Sequence, residues 1–325
     1  MKRYHFILLL IACISLYGCS NAPEIQLIVR ECNSMPGDGI ASACAAVLDD
    51  KAYIFAGRDN AGNYTNSLWQ YDAATDTWTK LSDCPGKARV KAAIASYNGS
   101  LYIGLGHARS GVYTNDTYLY DWWRYTPATD SWQALSKYER KTTIAPTTFV
   151  IDNRIYVIYG STDCFSRDIT YYDSTNDTWH FIADNHRRAK AVFCGVGTQL
   201  KGRIFFGLGN NTANLNQWFE ADLESDRWTR RASLPAKGRA FSACSANGSH
   251  IYVFGGRYFG GELTGGEVLT DIYRYDINND QWARYGLMPC GRAENQIAFT
   301  INGKVYFGLG EDEKGQTINK LYCIE

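Results

Sequence analysis

The ionisable residues that could do chemistry fall in two kinds of short segment. One kind leads into a run of small and apolar residues and holds Arg89, Arg188, Arg239, Arg292 and Glu294. The other follows a glycine and holds Arg58, His107, Arg257 and Glu311. An arginine offers a rigid fork of donors that matches a carboxylate, and several converging on one opening suit an acidic or hydroxyl-rich ligand. Glutamate and histidine can exchange a proton with a sugar's ring oxygen and anomeric hydroxyl, which makes Glu294, Glu311 and His107 the candidate acid–base residues. Tyr113 and Tyr258 stand in the two longest glycine-following loops and offer faces to clamp a sugar ring. The expected ligand contacts are therefore Arg58, Arg89, Arg188, Arg239, Arg257, Arg292, Tyr113 and Tyr258. Replacing Arg239 and Arg292 is expected to weaken ligand binding and leave folding intact. The same arginines also suit an acidic peptide, so a non-enzymatic protein-binding platform stands as the alternative to a carbohydrate site. No cysteine pair has metal-ligand spacing and no glycine loop is built to cradle phosphate, so neither a metal nor a cofactor is expected.

The elements that position these residues recur six times. Each unit has an apolar strand ending in glycine, at Gly57, Gly106, Gly160, Gly209, Gly256 and Gly310, with spacings of 49, 54, 49, 47 and 54 residues. An aromatic stands four residues before each: Tyr53, Tyr102, Tyr156, Phe205, Tyr252 and Tyr306. Turn pairs such as Asn98-Gly99, Asn247-Gly248 and Asn302-Gly303 precede these strands and permit the positive φ of a tight hairpin. In the second half of the unit, Trp78, Trp132, Trp179, Trp228 and Trp282 each follow an aspartate by two. Tyr71, Tyr125, Tyr172 and Tyr275 precede their tryptophans by seven residues, and Ala221 takes that place in the fourth copy. The aspartate is expected to bond its own turn and the tryptophan to pack between units, both structural roles. Units of this size cannot bury a core alone and must stack on one another.

This pattern resembles the kelch-repeat family of β-propellers over about residues 25–325. The double glycine usual in that family stands intact only at Gly255-Gly256. The resemblance implies an all-β, six-bladed kelch-type propeller. The sixth unit lacks its outer strand, and the apolar stretch Ile25–Arg30 is expected to supply it and so close the ring. Strand alternation then places the lead-in segments and the glycine-following loops on one face, at the mouth of the central channel. The family includes exported sialic acid mutarotases (N-acetylneuraminate epimerases), to which this chain is similar in size, layout and export. That similarity implies mutarotase or epimerase activity, although the fourth-unit loop, Asn210 to Asn214, carries neither Glu nor Arg. A copper radical oxidase of the galactose oxidase kind is disfavoured, because only His107, His180, His186 and His250 follow the leader.

The first residues read as a targeting signal. Lys2-Arg3 precede an apolar run from Phe6 to Leu16, and Leu16-Tyr17-Gly18-Cys19 resembles a bacterial lipobox with Cys19 as the lipidated residue. The expected organisation is a signal peptide over 1–18, a lipidated tether over 19–24 and the propeller over 25–325. Ser20 favours the outer membrane, with the propeller facing the periplasm or the surface and held by lipid alone. With 33 basic and 33 acidic side chains the net charge is zero, which offers no field for nucleic acid. A monomer is expected. Eight cysteines remain beyond Cys19; Cys44, Cys194 and Cys244 read as small apolar residues of inner strands, and a disulfide among Cys32, Cys84 and Cys290 stays open.

Overall fold

Each repeat folds as one four-stranded antiparallel sheet, and six such sheets close into a β-propeller. The computed structural model describes residues 27–109, 117–140, 144–160, 168–184, 192–211, 213–260 and 265–325. In the first blade the strands run outward from the axis as Cys44–Leu48, Lys51–Arg58, Tyr64–Asp72 and Thr77–Lys80. The innermost strands of the next five blades are Ala93–Tyr97, Thr147–Ile151, Val196–Leu200, Ala243–Asn247 and Ile297–Ile301. Each packs against the innermost strands of both neighbours, and the last meets the first. Among the described residues there is no α-helix.

The ring closes as the sequence suggests. The last blade contributes Ile297–Ile301, Lys304–Gly308 and Leu321–Ile324, and Val29–Glu31 adds the fourth strand antiparallel to the chain's end, with Val29 opposite Ile324. Arg30 then reaches Asp76 of the first blade at 3.2 Å. Pairing the two ends hides an edge that would otherwise template aggregation.

The tyrosine, aspartate and tryptophan of each unit form a clamp between blades. Asp130 accepts a hydrogen bond from Tyr125 of its own blade (2.6 Å) and others from the backbone N–H and hydroxyl of Ser82 in the preceding blade's exit (3.0 and 2.7 Å). The Trp132 indole donates to the Ser82 carbonyl at 3.0 Å. The same arrangement recurs at Asp76 with Tyr71, Trp78 and Asn33, at Asp177 with Tyr172, Trp179 and Ser136, and at Asp280 with Tyr275, Trp282 and Ala232. The aspartates thus bond across the seam, where the sequence suggested they would bond their own turns. The fourth blade departs from the pattern because Ala221 has no hydroxyl to offer. There the Trp228 indole turns back onto its own Asp226 at 3.0 Å.

The missing first glycines also have an explanation. Ala56, Leu105, Tyr159, Leu208 and Leu309 all adopt a positive φ of 54° to 60°, close to the 48° of Gly255 in the fifth blade. A left-handed residue costs about 1–2 kcal/mol, and burying a leucine contributes about 1.5–3 kcal/mol. Leu105, Leu208 and Leu309 are all fully buried, so packing offsets the strain. The second glycine has no such freedom. A Cβ on Gly256 would stand 2.6 Å from the Ala240 carbonyl oxygen, and one on Gly310 would stand 2.4 Å from that of Glu294. The glycine is what lets the lead-in segment lie against the chain that follows it.

The described cysteines, Cys32, Cys44, Cys84, Cys194, Cys244, Cys290 and Cys323, are free thiols. Burial pushes the Cys44 and Cys244 thiols up to about 12, which makes them inert packing groups. Cys194 precedes its inner strand and sits instead at the channel mouth.

Candidate functional site

Two rings of equivalent residues build the mouth. In the first ring, Ser42, Lys91, Ala145, Cys194, Phe241 and Asn295 each stand just ahead of an inner strand with φ between 50° and 59°. Their backbones bond from blade to blade: Lys91 N–H to the Ser42 carbonyl (2.9 Å), Ala145 to Lys91 (2.9 Å), Phe241 to Cys194 (3.3 Å), Asn295 to Phe241 (2.9 Å) and Ser42 to Asn295 (3.1 Å). In the second ring, the residues after five of the terminal glycines bridge back to the lead-in segment. The bridges are Arg58 to Ala41, His107 to Val90, Asn210 to Phe193, Arg257 to Ala240 and Glu311 to Glu294.

In the sixth blade this bridge places two glutamates opposite each other. Their backbones exchange both hydrogen bonds at 3.0 Å, a pairing that sets the Cβ atoms about 5–5.5 Å apart on one face. Each carboxylate is braced by the arginine of a flanking blade. Arg257 of the fifth blade forks onto Glu294, with Nε 2.9 and 2.8 Å from the two oxygens, and Arg58 of the first blade pairs with Glu311. Opposite both arginines the bridge partner is an alanine, which leaves the guanidinium room to lean toward the sixth blade. Asn295 donates to the second oxygen of Glu311 at 2.7 Å. Glu294 is almost fully buried, whereas the Glu311 side chain retains 13% of its exposure and opens to the mouth. The hydrogen bond and charge of Glu294 raise the Arg257 pKa further, which keeps that guanidinium charged at all accessible pH.

On the side of the fourth and fifth blades the wall is aromatic. Lys91 extends from the second blade so that its ammonium lies 3.9 Å from the centroid of the Phe241 ring and 5.0 Å from that of Phe193. The two rings meet edge to face at 5.4 Å, and Phe259 continues the wall at 5.8 Å from Phe241. Below lies a cavity of about 190 Å³, and beyond it an inner channel of about 590 Å³ lined by small, apolar and uncharged polar residues with no charged side chain.

Comparison with known proteins places this arrangement. The model of the KLHDC2/KLHL20/DRC7 Kelch-repeats domain matches residues 31–206, and that of the Kelch motif matches residues 238–286. The chain belongs to the kelch-repeat family. It is 26% identical over 263 residues to Kelch-like protein 25 of Xenopus tropicalis, covering 76% of this chain and 41% of that protein. It is 25% identical over 161 residues to Kelch-like protein 35 of Mus musculus, covering 49% of this chain and 25% of that protein. Over 119 residues it is 28% identical to the N-acetylneuraminate epimerase of Yersinia enterocolitica, covering 36% of this chain and 30% of that protein. These matches therefore span well under half of each curated relative. The solved structure named "Structure of YjhT" superposes with a TM-score of 0.77 at 18% identity, covering 90% of this chain and 96% of that one, a likeness of fold.

Within this kelch propeller the residues anticipated from sequence separate into three groups. Arg58, Arg257, Glu294 and Glu311 come together at the mouth. Arg89 and Arg239 do not: both are fully buried. Arg89 donates to the Lys87 and Leu105 carbonyls (2.9 and 3.1 Å) and forks onto Asp121 (2.7 and 2.6 Å). Arg239 repeats the set with Lys237, Gly255 and Asp271. Arg292 lies on the outside against Glu267 (3.1 Å), the Val268 carbonyl (2.8 Å) and Glu313 (3.6 Å). His107, of the second blade, is buried edge-on to Tyr64 of the first, and the first blade stands between it and Glu311. Tyr258 points to Lys237, 5.3 Å from its ring, because strand alternation sends its neighbour Phe259 to the mouth instead. Cys19, Tyr113 and Arg188 lie outside the described residues. Sequence reasoning placed Lys91 among the lead-in residues of this face without choosing it as a ligand contact, and did not single out Phe193, Phe241 or Asn295; their common position ahead of each inner strand was the available signal.

Proposed function

We propose that this propeller binds a small, singly anionic, hydroxyl-rich ligand at its mouth, an acidic sugar, and catalyses its mutarotation. The observation that carries the reading is the braced glutamate pair beside an ammonium that meets no carboxylate among the described residues. Among the described residues of the two rings, three cations, Arg58, Arg257 and Lys91, stand against two carboxylates, Glu294 and Glu311, an excess of one positive charge. Mutarotation asks little more of a site. Glu311, the more open carboxylate, takes the anomeric hydroxyl proton as the bond from the anomeric carbon to the ring oxygen breaks. The ring oxygen takes up that same proton, relayed from Glu311, which restores the carboxylate, and the open-chain carbonyl recloses from its other face by the reverse transfers. Glu294 and the arginines hold Glu311 in place, and the phenylalanine wall receives the sugar's apolar face. The N-acetylneuraminate epimerase relatives, though matched over a short stretch, point to the same substrate class.

Calorimetric titration with N-acetylneuraminate and with neutral N-acetylmannosamine tests the ligand. Binding of the acid, and at least about tenfold weaker binding of the neutral sugar, are expected from one hydrogen-bonded charge. Equal affinities, or no binding of either, would sink the acidic-sugar reading and favour an acidic peptide at the same mouth. We also propose, from the leader alone, export and lipid anchoring at Cys19. Mass spectrometry of the mature N-terminus should find a lipidated Cys19, and an unmodified chain retaining residues 1–18 would refute this.

A further inference from the structure

The first ring does more than join the blades. All six of its residues line the 190 Å³ cavity below the mouth, so every blade walls that cavity and it lies on the axis. A left-handed φ strains an L residue, and such strain clusters where function needs it. Here it turns Ser42, Lys91, Ala145, Cys194, Phe241 and Asn295 onto one small space. Among the described lining residues Lys91 alone carries a charge. Its backbone belongs to the second blade, bonded to Ser42 on one side and Ala145 on the other. Its ammonium lies against Phe193 and Cys194 of the fourth blade and Phe241 of the fifth. The second and fifth blades of a six-bladed ring stand opposite each other, so this side chain spans the axis.

These surroundings attract the ammonium without balancing it. Aromatic faces draw a cation but carry no net charge. Among the described residues its one hydrogen bond is to the Cys194 sulfur at 3.5 Å, and burial holds that thiol up at about 11, protonated at neutral pH. Glu294 and Glu311 do not line the cavity and are engaged by Arg257 and Arg58. A charge taken partly out of water is costly until it is paired. Asn295 joins the two levels, because it lines the cavity and also donates to Glu311 at 2.7 Å.

We propose that the first ring encloses an anion site on the axis with Lys91 as its counter-ion, and that Lys91 is the residue that makes this protein prefer an acidic ligand to a neutral one. The site takes one compact monoanionic group, either the carboxylate of a ligand seated in the mouth above or a free halide. A volume of 190 Å³ is about that of six water molecules, room for such a group and the atoms next to it. For its ligand the inference rests on the acidic-sugar reading, and it assigns the carboxylate to Lys91, which leaves Arg58 and Arg257 to the glutamates.

The line width of chloride in NMR, measured with purified protein, tests the anion site without any sugar. The wild type should broaden the chloride line, acetate should reverse the broadening, and neutral acetamide should not. Lys91→Met keeps the length of the side chain and the backbone bonds of the ring, and should lose the acetate-sensitive broadening; Lys91→Gln is the second variant. Calorimetry with N-acetylneuraminate and its methyl ester then tests the selection. The wild type should bind the acid about tenfold more tightly than the ester, and Lys91→Met should erase that preference by weakening the acid alone. No acetate-sensitive broadening with the wild type overturns the anion site without any variant, as does broadening that persists in both folded variants. A preference for the acid that survives Lys91→Met overturns the assignment to Lys91 and leaves the sugar reading standing. If neither sugar binds while the chloride results hold, the sugar reading is lost and the anion site stands.

Discussion

Arg239→Met separates a structural arginine from a ligand-binding one. The guanidinium is 0% exposed and its donors engage the Lys237 carbonyl at 3.2 Å, the Gly255 carbonyl at 3.2 Å and the Asp271 carboxylate. Removing it leaves two backbone acceptors and a carboxylate that is only 20% exposed without their donor. Breaking a buried ion pair from one side costs about 3–5 kcal/mol. At roughly 2–3 °C per kcal/mol for a domain of this size, Tm should fall by roughly 10 °C. Arg292, 44% exposed in a surface pair, should cost no more than about 1 kcal/mol when replaced by alanine. The assay is thermal melting of both single variants with Arg239→Met/Asp271→Leu as the closing arm of the cycle. The double variant should lose less than the single, because no charge is left buried alone. An Arg239→Met protein that melts with the wild type but no longer binds ligand would refute the argument and restore this arginine to the mouth.

Other outcomes follow from the clamps and from the fourth blade. Tyr125→Phe removes the 2.6 Å bond to Asp130 and should cost about 1 kcal/mol in urea unfolding, whereas Asp130→Ala, which also frees Ser82, should cost about 2–3 kcal/mol; equal losses would contradict a shared clamp. In the fourth blade, hydrogen bonds from Arg203 and then Arg231 outweigh burial and hold the Glu220 carboxyl down at about 2. Its folded pKa is depressed, so its contribution to stability is complete above the ordinary value of 4.5 and is lost as pH falls from there toward 2. Glu220→Gln should therefore lower Tm at pH 7 and flatten its fall between about pH 5 and pH 2; a variant whose Tm falls with acid as steeply as the wild type's would show that the pair does not couple to folding.

The blades, their order and their closure were legible because each unit repeats its own strand, turn and aromatic signals locally. What was not legible depends on partners far along the chain. Arg89 and Arg239 looked like mouth residues because their aspartates stand 32 positions away, yet that separation is identical in both copies and marks a shared structural device. Lys91 gained meaning only when ring closure brought Phe193 and Phe241, from two other blades, against its ammonium. The pairing of Glu294 with Glu311 followed from the bridge that Gly310 permits; Glu311 was chosen from sequence for its place after the glycine and Glu294 for its place in the lead-in segment. Their arginine braces were also chosen, as ligand contacts, since sequence does not distinguish an arginine that holds a ligand from one that holds the residue acting on it.

The central claim is that Glu311, braced by Arg58 and Asn295, exchanges protons with an acidic sugar. One-dimensional proton NMR of a freshly dissolved N-acetylneuraminate anomer, followed with wild-type protein, Glu311→Gln and no protein, tests it most directly. The account predicts that the wild type speeds the approach to anomeric equilibrium and that Glu311→Gln, still folded, loses about a hundredfold or more of that acceleration. An approach to equilibrium that is the same with and without the wild-type protein would contradict it, and so would a Glu311→Gln protein as fast as the wild type.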